Sequence, residues 1–173
     1  MERAAQEKSG RSHWEKVESS ALPRTFEQLP AGGLAARTRA LLKIEDGCNN
    51  FCTYCIIPYA RGRVRSMPLA AAVEETKKLA REGYREIVVN GIEISSWGWE
   101  LKNGSRLADL LLAVCLAAPE VRIRLGSLEP RTIDEDFCKT LSVCKNLCPQ
   151  FHLSLQSGSD SVLKRMNRKY DTA

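Results

Sequence analysis

Three cysteines with the spacing C-x3-C-x2-C are the residues of this chain best suited to chemistry. Cys48, Cys52 and Cys55 lie in the segment CNNFCTYC. Three thiolates within such a short segment can surround one compact metal centre, but they are one ligand short of a structural tetrahedral zinc site. They fit an iron–sulfur cubane with one iron left open to an exogenous ligand, because cysteine thiolates normally hold such clusters. The spacing therefore predicts a catalytic metal centre.

A structural zinc site is the alternative interpretation of the same cysteines. His152 or a distant cysteine would then supply the fourth ligand. The remaining cysteines are Cys115, Cys138, Cys144 and Cys148. The total of seven is odd and no export signal accompanies it, so a disulfide framework is not expected. We predict that these four cysteines are buried free thiols.

Length and composition indicate one soluble globular domain. The chain has 173 residues, of which 43% are hydrophobic and 27% are charged. It contains no apolar run long enough to span a bilayer and no secretory signal, so we expect a cytoplasmic protein without a membrane partner. The net charge of +5 falls entirely within 37–173, which hold 21 basic and 16 acidic residues. This bias is consistent with a polyanionic partner such as nucleic acid.

Hydrophobic periodicity divides the chain into an N-terminal segment and an α/β domain. Residues 1–36 are predicted to be a linker or the remnant of a missing N-terminal domain, and 37–173 a partial barrel domain. Four strands are expected, over 39–46, 85–90, 121–126 and about 150–155. Four helices alternate with them: from about Pro68 to Gly83, from Ser105 to Pro119, over about 132–147, and from Ser159 onward.

This alternation predicts parallel βα units with right-handed crossovers. About four units are too few to close a barrel, so we expect a fold that is incomplete at both ends. The cysteine segment follows the first strand, at the face where βα barrels carry their active sites.

Three separated segments resemble one known family. They are DGCNNFCTYCIIPYARGRVRS at 46–66, LGSLEPRTI at 125–133 and HLSLQSGSDSVLKRMNRKY at 152–170. Together they resemble the radical S-adenosylmethionine superfamily and, more narrowly, the tRNA methylthiotransferases. The nearest pattern is the branch that thiomethylates threonylcarbamoyladenosine in tRNA. The resemblance runs from about Arg37 to the C-terminus and implies a partial radical-SAM-type (β/α) barrel.

The resemblance implies the cofactors and the reaction. Cys48, Cys52 and Cys55 would bind a 4Fe-4S cluster whose free iron binds S-adenosylmethionine. One electron, from a reductant such as flavodoxin or ferredoxin, would release a deoxyadenosyl radical that removes hydrogen from an adenosine beside the tRNA anticodon. Complete relatives use an auxiliary 4Fe-4S cluster for sulfur insertion. No cysteine precedes Cys48, so we expect this chain to lack the auxiliary ligands and not to thiomethylate tRNA by itself.

The same resemblance implies further site residues. The cofactor-binding set is Tyr54, Gly91, Glu129, Gln156, Ser157 and Arg168. Glu129 would accept hydrogen bonds from the ribose hydroxyls, and Arg168 would pair with the methionine carboxylate through its planar fork. Gly91 would let backbone approach the methionine part, and Gln156 with Ser157 would orient the cofactor.

Three alternating arginines follow the cysteines. On an extended segment Arg61, Arg63 and Arg65 would point the same way, which predicts contact with RNA phosphates. Aromatic residues offer stacking surfaces. Tyr54 and Tyr59 would pack over the adenine or close the loop, and Trp97 and Trp99 would stack on a flipped base.

Alternative functions are a methylthiotransferase that acts on another tRNA adenosine or on a ribosomal protein, and a non-catalytic nucleic-acid-binding module with structural zinc.

Overall fold

The computed structural model describes residues 22–32 and 38–173. The strands are β1 (Arg39–Lys43), β2 (Glu45–Asp46), β3 (Arg65–Ser66), β4 (Glu86–Asn90), β5 (Arg122–Leu125), β6 (Ser127–Leu128) and β7 (His152–Leu153). The helices are α1 (Ile57–Ala60), α2 (Leu69–Arg81), α3 (Leu107–Ala117), α4 (Glu135–Leu141) and α5 (Asp160–Arg165). Short 3-10 helices cover Ile94–Ser96 and Pro130–Thr132.

A parallel sheet in the order β1-β4-β5 forms the centre of the fold. Leu42 is paired with Val89, and Val89 in turn with Leu125. Burial alternates along β1 and β5, where Ala40, Leu42, Ile123 and Leu125 are buried, so one face of the sheet is covered. Helices α2 and α3 follow β1 and β4 in sequence and pack against each other. The predicted α/β architecture of parallel βα units is therefore confirmed.

The helical periodicities correctly identify the faces that pack on the sheet. On α3 the residues that recur at intervals of three and four are buried: Leu107, Leu110, Leu111, Val114 and Cys115. On α2 the buried positions are Ala72, Thr76 and Leu79. These side chains join Leu42, Ile87 and Ile123 of the sheet in one hydrophobic core.

The first predicted strand is divided in two. Parallel pairing with β4 ends at Lys43, and β2 then pairs antiparallel with β3. This hairpin joins the two ends of the cysteine segment, because β2 precedes it and β3 follows it.

The fourth βα unit departs most from the sequence expectation. Instead of a strand over about 150–155, only His152–Leu153 form β7, which pairs parallel with β6. Upstream, the Cys148 N–H donates to the Ile123 carbonyl of β5 at 2.8 Å, so this part of the chain pairs first with β5 of the central sheet and then with β6 of a separate two-stranded sheet. Pro149 lies between these two pairings and has no N–H to donate.

The helix expected over about 132–147 is also shorter. Helix α4 begins at Glu135, where the Asp134 carboxylate accepts from the Phe137 N–H at 2.7 Å, and it ends at Leu141. The following turns bring Asn146 to the end of α3. Its side-chain amide lies 3.0–3.1 Å from the carbonyls of Cys115, Ala118 and Val121. Asn146 thereby satisfies carbonyls that the end of a helix leaves unpaired.

Residues 22–32 contain no helix or strand, but they pack on the domain. Ala31 is buried, and Phe26 packs against the core with the Lys43 ammonium 5.3 Å from its ring centre. The rest of the predicted linker, 1–21 and 33–36, lies outside the described residues. Within the described ranges, no helix is long and apolar enough to cross a bilayer.

Replacing Asn146 tests its role at this corner. We expect Asn146→Ala to lower the free energy of unfolding by about 2 kcal/mol, because buried carbonyls lose their donor. Lys145→Ala, at the exposed neighbouring position, is the matched control and should leave stability within about 0.5 kcal/mol. Urea denaturation of both variants measures the difference, and equal midpoints would contradict the assigned role.

Candidate cofactor site

The cysteine segment is held at the carboxyl end of the sheet by a glycine that no other residue can replace. Gly47 has φ +84°, and a Cβ there would lie 2.1 Å from the Arg63 carbonyl oxygen. The Asp46 carboxylate accepts from the Gly47 N–H, and the Cys48 N–H donates to the Gly62 carbonyl at 3.1 Å. The sequence Asp-Gly-Cys therefore fixes where the segment starts.

All three predicted ligands line one cavity of about 200 Å³. Cys48 and Cys52 are buried, and Cys55 is half-buried. The Asn50 N–H donates to the Cys48 sulfur at 3.4 Å, and the Arg168 guanidinium donates to the Cys52 sulfur at 3.2 Å. Burial raises the pKa of Cys48 to about 11. At neutral pH this pKa favours the protonated thiol, so binding of a metal centre would have to displace the proton.

The donor set fits a cluster better than a single ion. Among the described residues, no group of three or more His, Cys, Asp or Glu side chains is arranged to hold one metal ion. His152 is exposed, and its Nδ1 lies 2.8 Å from the Ser127 hydroxyl. A cubane spreads its irons over several corners and so accepts thiolates that are too far apart to share one ion. The zinc interpretation thus finds no support in the described part of the chain.

The segment after α5 closes the cysteine loop. The Asn167 side chain donates to the carbonyl of Phe51 at 2.9 Å, and the Thr53 N–H donates to the carbonyl of Met166 at 3.2 Å. Arg168 follows, with a side chain only 7% exposed, and its Nη2 lies 3.2 Å from Oε1 of Glu129. Residues more than 100 positions apart therefore form one wall of the cavity.

Two carboxylates of the cavity wall, those of Glu93 and Glu129, each have one buried oxygen without an aligned hydrogen bond among the described residues. Glu129 is 1% exposed; its Oε2 accepts from Arg131 at 2.6 Å, while Oε1 has no aligned hydrogen bond among the described residues. Oε2 of Glu93 likewise has no partner there, and burial raises the pKa of this carboxyl. Orphaned buried acceptors are costly unless a ligand supplies donors. The ribose hydroxyls and the ammonium group of S-adenosylmethionine are donors of this kind.

A third buried acid supports the loop that carries Glu93. Glu45 is fully buried, and its Oε2 accepts from the Glu93 N–H at 2.7 Å. Burial raises the pKa of Glu45 to about 8. Gly91 lies against this group, since a Cβ there would be 2.9 Å from both the carbonyl and the carboxylate of Glu45. Close packing therefore accounts for the glycine.

The cavity collects most of the predicted cofactor residues. Those that line it are Cys48, Cys52, Cys55, Tyr54, Glu129, Gln156 and Arg168. Gly91 and Ser157 do not line it; the Ser157 hydroxyl instead accepts from the Ser159 N–H at the start of α5. Sequence reasoning missed the other lining residues: Asn50, Ile57, Ile92, Glu93, Ser127 and Ser154. Each lies within two positions of a predicted site residue, which was the available signal.

The prediction that three arginines share one exposed face is wrong. Arg61 and Arg63 are exposed, and Arg63 stacks 4.9 Å from the centre of the Phe51 ring. Arg65 is 5% exposed; it donates to the carbonyls of Arg61 and Arg63 and lies 3.4 Å from Asp46. The chain turns at Gly62, whose φ is +80°, so the segment is not extended.

Two predictions outside the cavity are wrong: that Trp97 stacks on a base and that Cys138 is buried. Trp97 is fully buried and its indole N–H donates to the Met67 carbonyl at 2.9 Å, so it cannot stack on a base. Trp99 is 46% exposed, with the Arg131 guanidinium 5.0 Å from its ring centre. Cys115, Cys144 and Cys148 are buried as expected, but Cys138 is exposed because it lies on the outer face of α4.

The model of the Radical SAM superfamily matches residues 42–173. The chain belongs to the radical SAM superfamily. Solved structures agree on the fold: the radical S-adenosylmethionine methyltransferase TsrM from Kitasatospora setae aligns with a TM-score of 0.59 at 20% identity, over 76% of this chain and 26% of that one. The cobalamin-dependent enzyme OxsB gives 0.59 at 17% identity, over 76% of this chain and 20% of that one.

Two kinds of tRNA-modifying enzyme are similar in sequence. Threonylcarbamoyladenosine tRNA methylthiotransferase MtaB of Thermotoga maritima is 42% identical over 93% of this chain and 34% of its own length. The tRNA-2-methylthio-N(6)-dimethylallyladenosine synthase of Chlorobium luteolum is 45% identical over 76% of this chain and 29% of its own. The predicted resemblance to tRNA methylthiotransferases is confirmed. The chain spans about a third of these relatives.

Glu45 should make stability depend on pH. Its folded pKa of about 8 lies above the ordinary value of 4.5, so between these values the unfolded state ionises while the folded state stays neutral. Unfolding free energy should therefore fall as pH rises through this window, by up to about 1.4 kcal/mol per unit. Glu45→Gln should flatten the slope, as denaturation of the metal-free chain between pH 5.5 and 8 measures. Exposed Glu120→Gln should retain it; an unchanged slope in Glu45→Gln would contradict the assignment.

Proposed function

We propose that this chain is the radical S-adenosylmethionine core of a methylthiotransferase that acts on threonylcarbamoyladenosine in tRNA. The observation that carries the proposal is the single cavity in which three thiols face Glu129 and Arg168. The similarity to methylthiotransferases with tRNA substrates supports this reaction class. A transferase of sulfur-containing groups would use the 4Fe-4S cluster and S-adenosylmethionine at this place.

The chain's own residues hold the reactants. Cys48, Cys52 and Cys55 would bind the cluster, and the donors from Asn50 and Arg168 stabilise sulfur in its anionic form. The bound cluster and S-adenosylmethionine supply one-electron chemistry. The protein's contribution is to orient them and to exclude competing hydrogen donors.

Charge and polarity along the wall match the parts of S-adenosylmethionine. The guanidinium of Arg168 lies beside Cys52, where it can face the methionine carboxylate. Oε1 of Glu129, which lies 3.2 Å from Arg168, can accept from the ribose hydroxyls, and Oε2 of Glu93 from the ammonium group. Tyr54 is half-exposed at the rim, where its ring can cover the adenine.

Macromolecular partners follow from the same proposal. Arg61 and Arg63 lie exposed beside the cysteine loop and would contact tRNA phosphates. A one-electron reductant such as flavodoxin or ferredoxin would have to approach the cluster.

The decisive experiment is complementation of a deletion strain with the full-length gene, followed by mass spectrometry of tRNA nucleosides. Absence of every methylthio nucleoside would overturn the proposal.

A methylthiotransferase that acts on dimethylallyladenosine in tRNA is the second candidate. It is favoured by the synthase of Chlorobium luteolum, whose 45% identity is comparable with that of the threonylcarbamoyladenosine enzymes. The complementation experiment separates the two, because the modified nucleosides differ in mass.

Replacing each cluster ligand should remove iron. After anaerobic reconstitution the unaltered chain should carry about four irons and four sulfides. Cys48→Ala, Cys52→Ala and Cys55→Ala should each lose most of both, together with the visible absorption. Cys138→Ala, at an exposed thiol outside the cavity, should keep them. Zinc without acid-labile sulfide in the unaltered chain would instead favour the structural-zinc alternative.

Arg61 and Arg63 should contribute to tRNA affinity through charge alone. Each change to Gln should weaken binding and reduce the slope of log affinity against log salt by about 1. Filter binding at several salt concentrations measures both quantities. Arg81→Gln, at the exposed end of α2, is the control that should behave as the unaltered chain. Identical slopes in all variants would remove these arginines from the RNA interface.

A further inference from the structure

A groove of about 460 Å³ borders the cysteine loop outside the cofactor cavity. We call it the arginine groove. The residues that line it come from the N-terminal segment (22–24), the cysteine loop (Phe51), helix α1 (Pro58 and Tyr59) and the turn into β3 (62–65). The groove therefore joins the segment that precedes the sheet to the loop that carries the three thiols.

The groove and the cofactor cavity use alternate residues of the same loop. Asn50 and Cys52 line the cofactor cavity, whereas Phe51 between them lines the groove. In the same way Ile57 lines the cavity and Tyr59 lines the groove. Phe51 has a φ of +50°, a left-handed conformation that is uncommon for a bulky residue. Tyr59 thus lines a space other than the one that would hold the cofactor.

Two aromatic rings form a platform in the groove. The rings of Phe51 and Tyr59 meet edge to face, with their centres 5.5 Å apart and their planes at 83°. Tyr59 is 63% exposed. Since the contact with Phe51 covers at most one face of the Tyr59 ring, this ring offers an open face to a planar ligand.

The groove also presents positive charge that no neighbouring acid neutralises. Arg24, Arg63 and Arg65 line it, and none of the described residues that line it is acidic. Arg65 is buried beside Asp46, but Arg24 and Arg63 are exposed and form no salt bridge with another described residue. The Arg63 guanidinium lies 4.9 Å from the centre of the Phe51 ring, a contact that holds it in place and leaves its N–H groups available.

An open aromatic face beside unpaired arginines suits single-stranded nucleic acid. An unpaired base offers a flat face that stacks on an aromatic ring, and its phosphate pairs with a guanidinium. In a duplex the faces of the bases are covered by their neighbours, so a stacking site selects unpaired nucleotides. An acidic protein partner would account for the arginines of the groove but not for its exposed aromatic platform.

We propose that the arginine groove binds an unpaired nucleotide of the substrate RNA, with its base stacked on Tyr59 and its phosphate paired with Arg63. Arg24 offers a second phosphate contact, from the N-terminal segment. The inference rests on the proposed function, which makes this RNA the anticodon loop of a tRNA. It adds a binding site for a second nucleotide, outside the cofactor cavity, and assigns Tyr59 as a substrate-binding residue.

Fluorescence anisotropy with two labelled RNAs tests the proposal without catalysis. The probes are a tRNA anticodon stem–loop and a fully paired RNA duplex of the same length. Tyr59→Ala should weaken binding of the stem–loop roughly tenfold, the usual effect of losing one stacked base. It should not change the slope of log affinity against log salt, because stacking releases no counterions, and it should not affect the duplex.

Three further variants separate stacking from charge and from loss of structure. Tyr59→Phe keeps the ring and should bind the stem–loop as the unaltered chain does. Arg24→Gln should reduce the salt slope by about 1, since it removes a phosphate contact. Phe151→Ala, at an exposed aromatic residue next to β7, is the matched control and should bind both RNAs normally.

Unchanged affinity of Tyr59→Ala for the stem–loop, or an equal loss for stem–loop and duplex, would overturn the inference. Normal RNA binding by Tyr59→Ala together with slower reduction of the reconstituted cluster by flavodoxin would also overturn it, and would assign the groove to a protein partner. Failure of the proposed function is detected separately, by complementation. If methylthio nucleosides form while Tyr59→Ala binds RNA normally, the reaction class stands and the groove does not bind the substrate.

Discussion

The contact between the cysteine loop and the segment after α5 is the constraint on which the cofactor cavity depends. Asn167 bonds to the carbonyl of Phe51, and Arg168 reaches both the sulfur of Cys52 and the carboxylate of Glu129. These contacts join the first and last βα units at the carboxyl end of the sheet. Without them the loop would depend on the short β2–β3 hairpin and on local contacts such as the hydrogen bond from Arg131 to Asn50.

Desolvation gives this cavity its chemical character. Glu129 is buried and Glu93 is half-buried, and each has a carboxylate oxygen without an aligned hydrogen bond in the described residues. Burial raises the pKa of Cys48, which favours its protonated thiol. Buried acceptors without a full set of donors are costly to the folded state. Binding energy from a cationic, hydroxyl-bearing ligand and a cationic metal centre would offset this cost. The features that lower the stability of the cofactor-free protein therefore favour the binding of its cofactors.

Much of the fold could be predicted because periodicity reports local burial. The stripe on α3 and the central strands β4 and β5 follow the expected positions closely. The fourth unit could not be predicted, since an apolar run alone does not reveal that Pro149 interrupts pairing or that Asn146 closes the corner of α3. Propensity was overridden there by specific tertiary hydrogen bonds.

For the site, residue type and spacing alone singled out the three cysteines that line one cavity, because a short loop keeps its side chains in one region of the structure. Only the tertiary structure decided which charged residues face the cofactor and which support the loop. Arg63 and Arg65 are two positions apart, yet one is exposed and the other is buried against Asp46. Gly91 lies where a cofactor glycine was expected, but the carboxylate of Glu45 accounts for it. Burial and long-range contacts, which no local pattern encodes, make these distinctions.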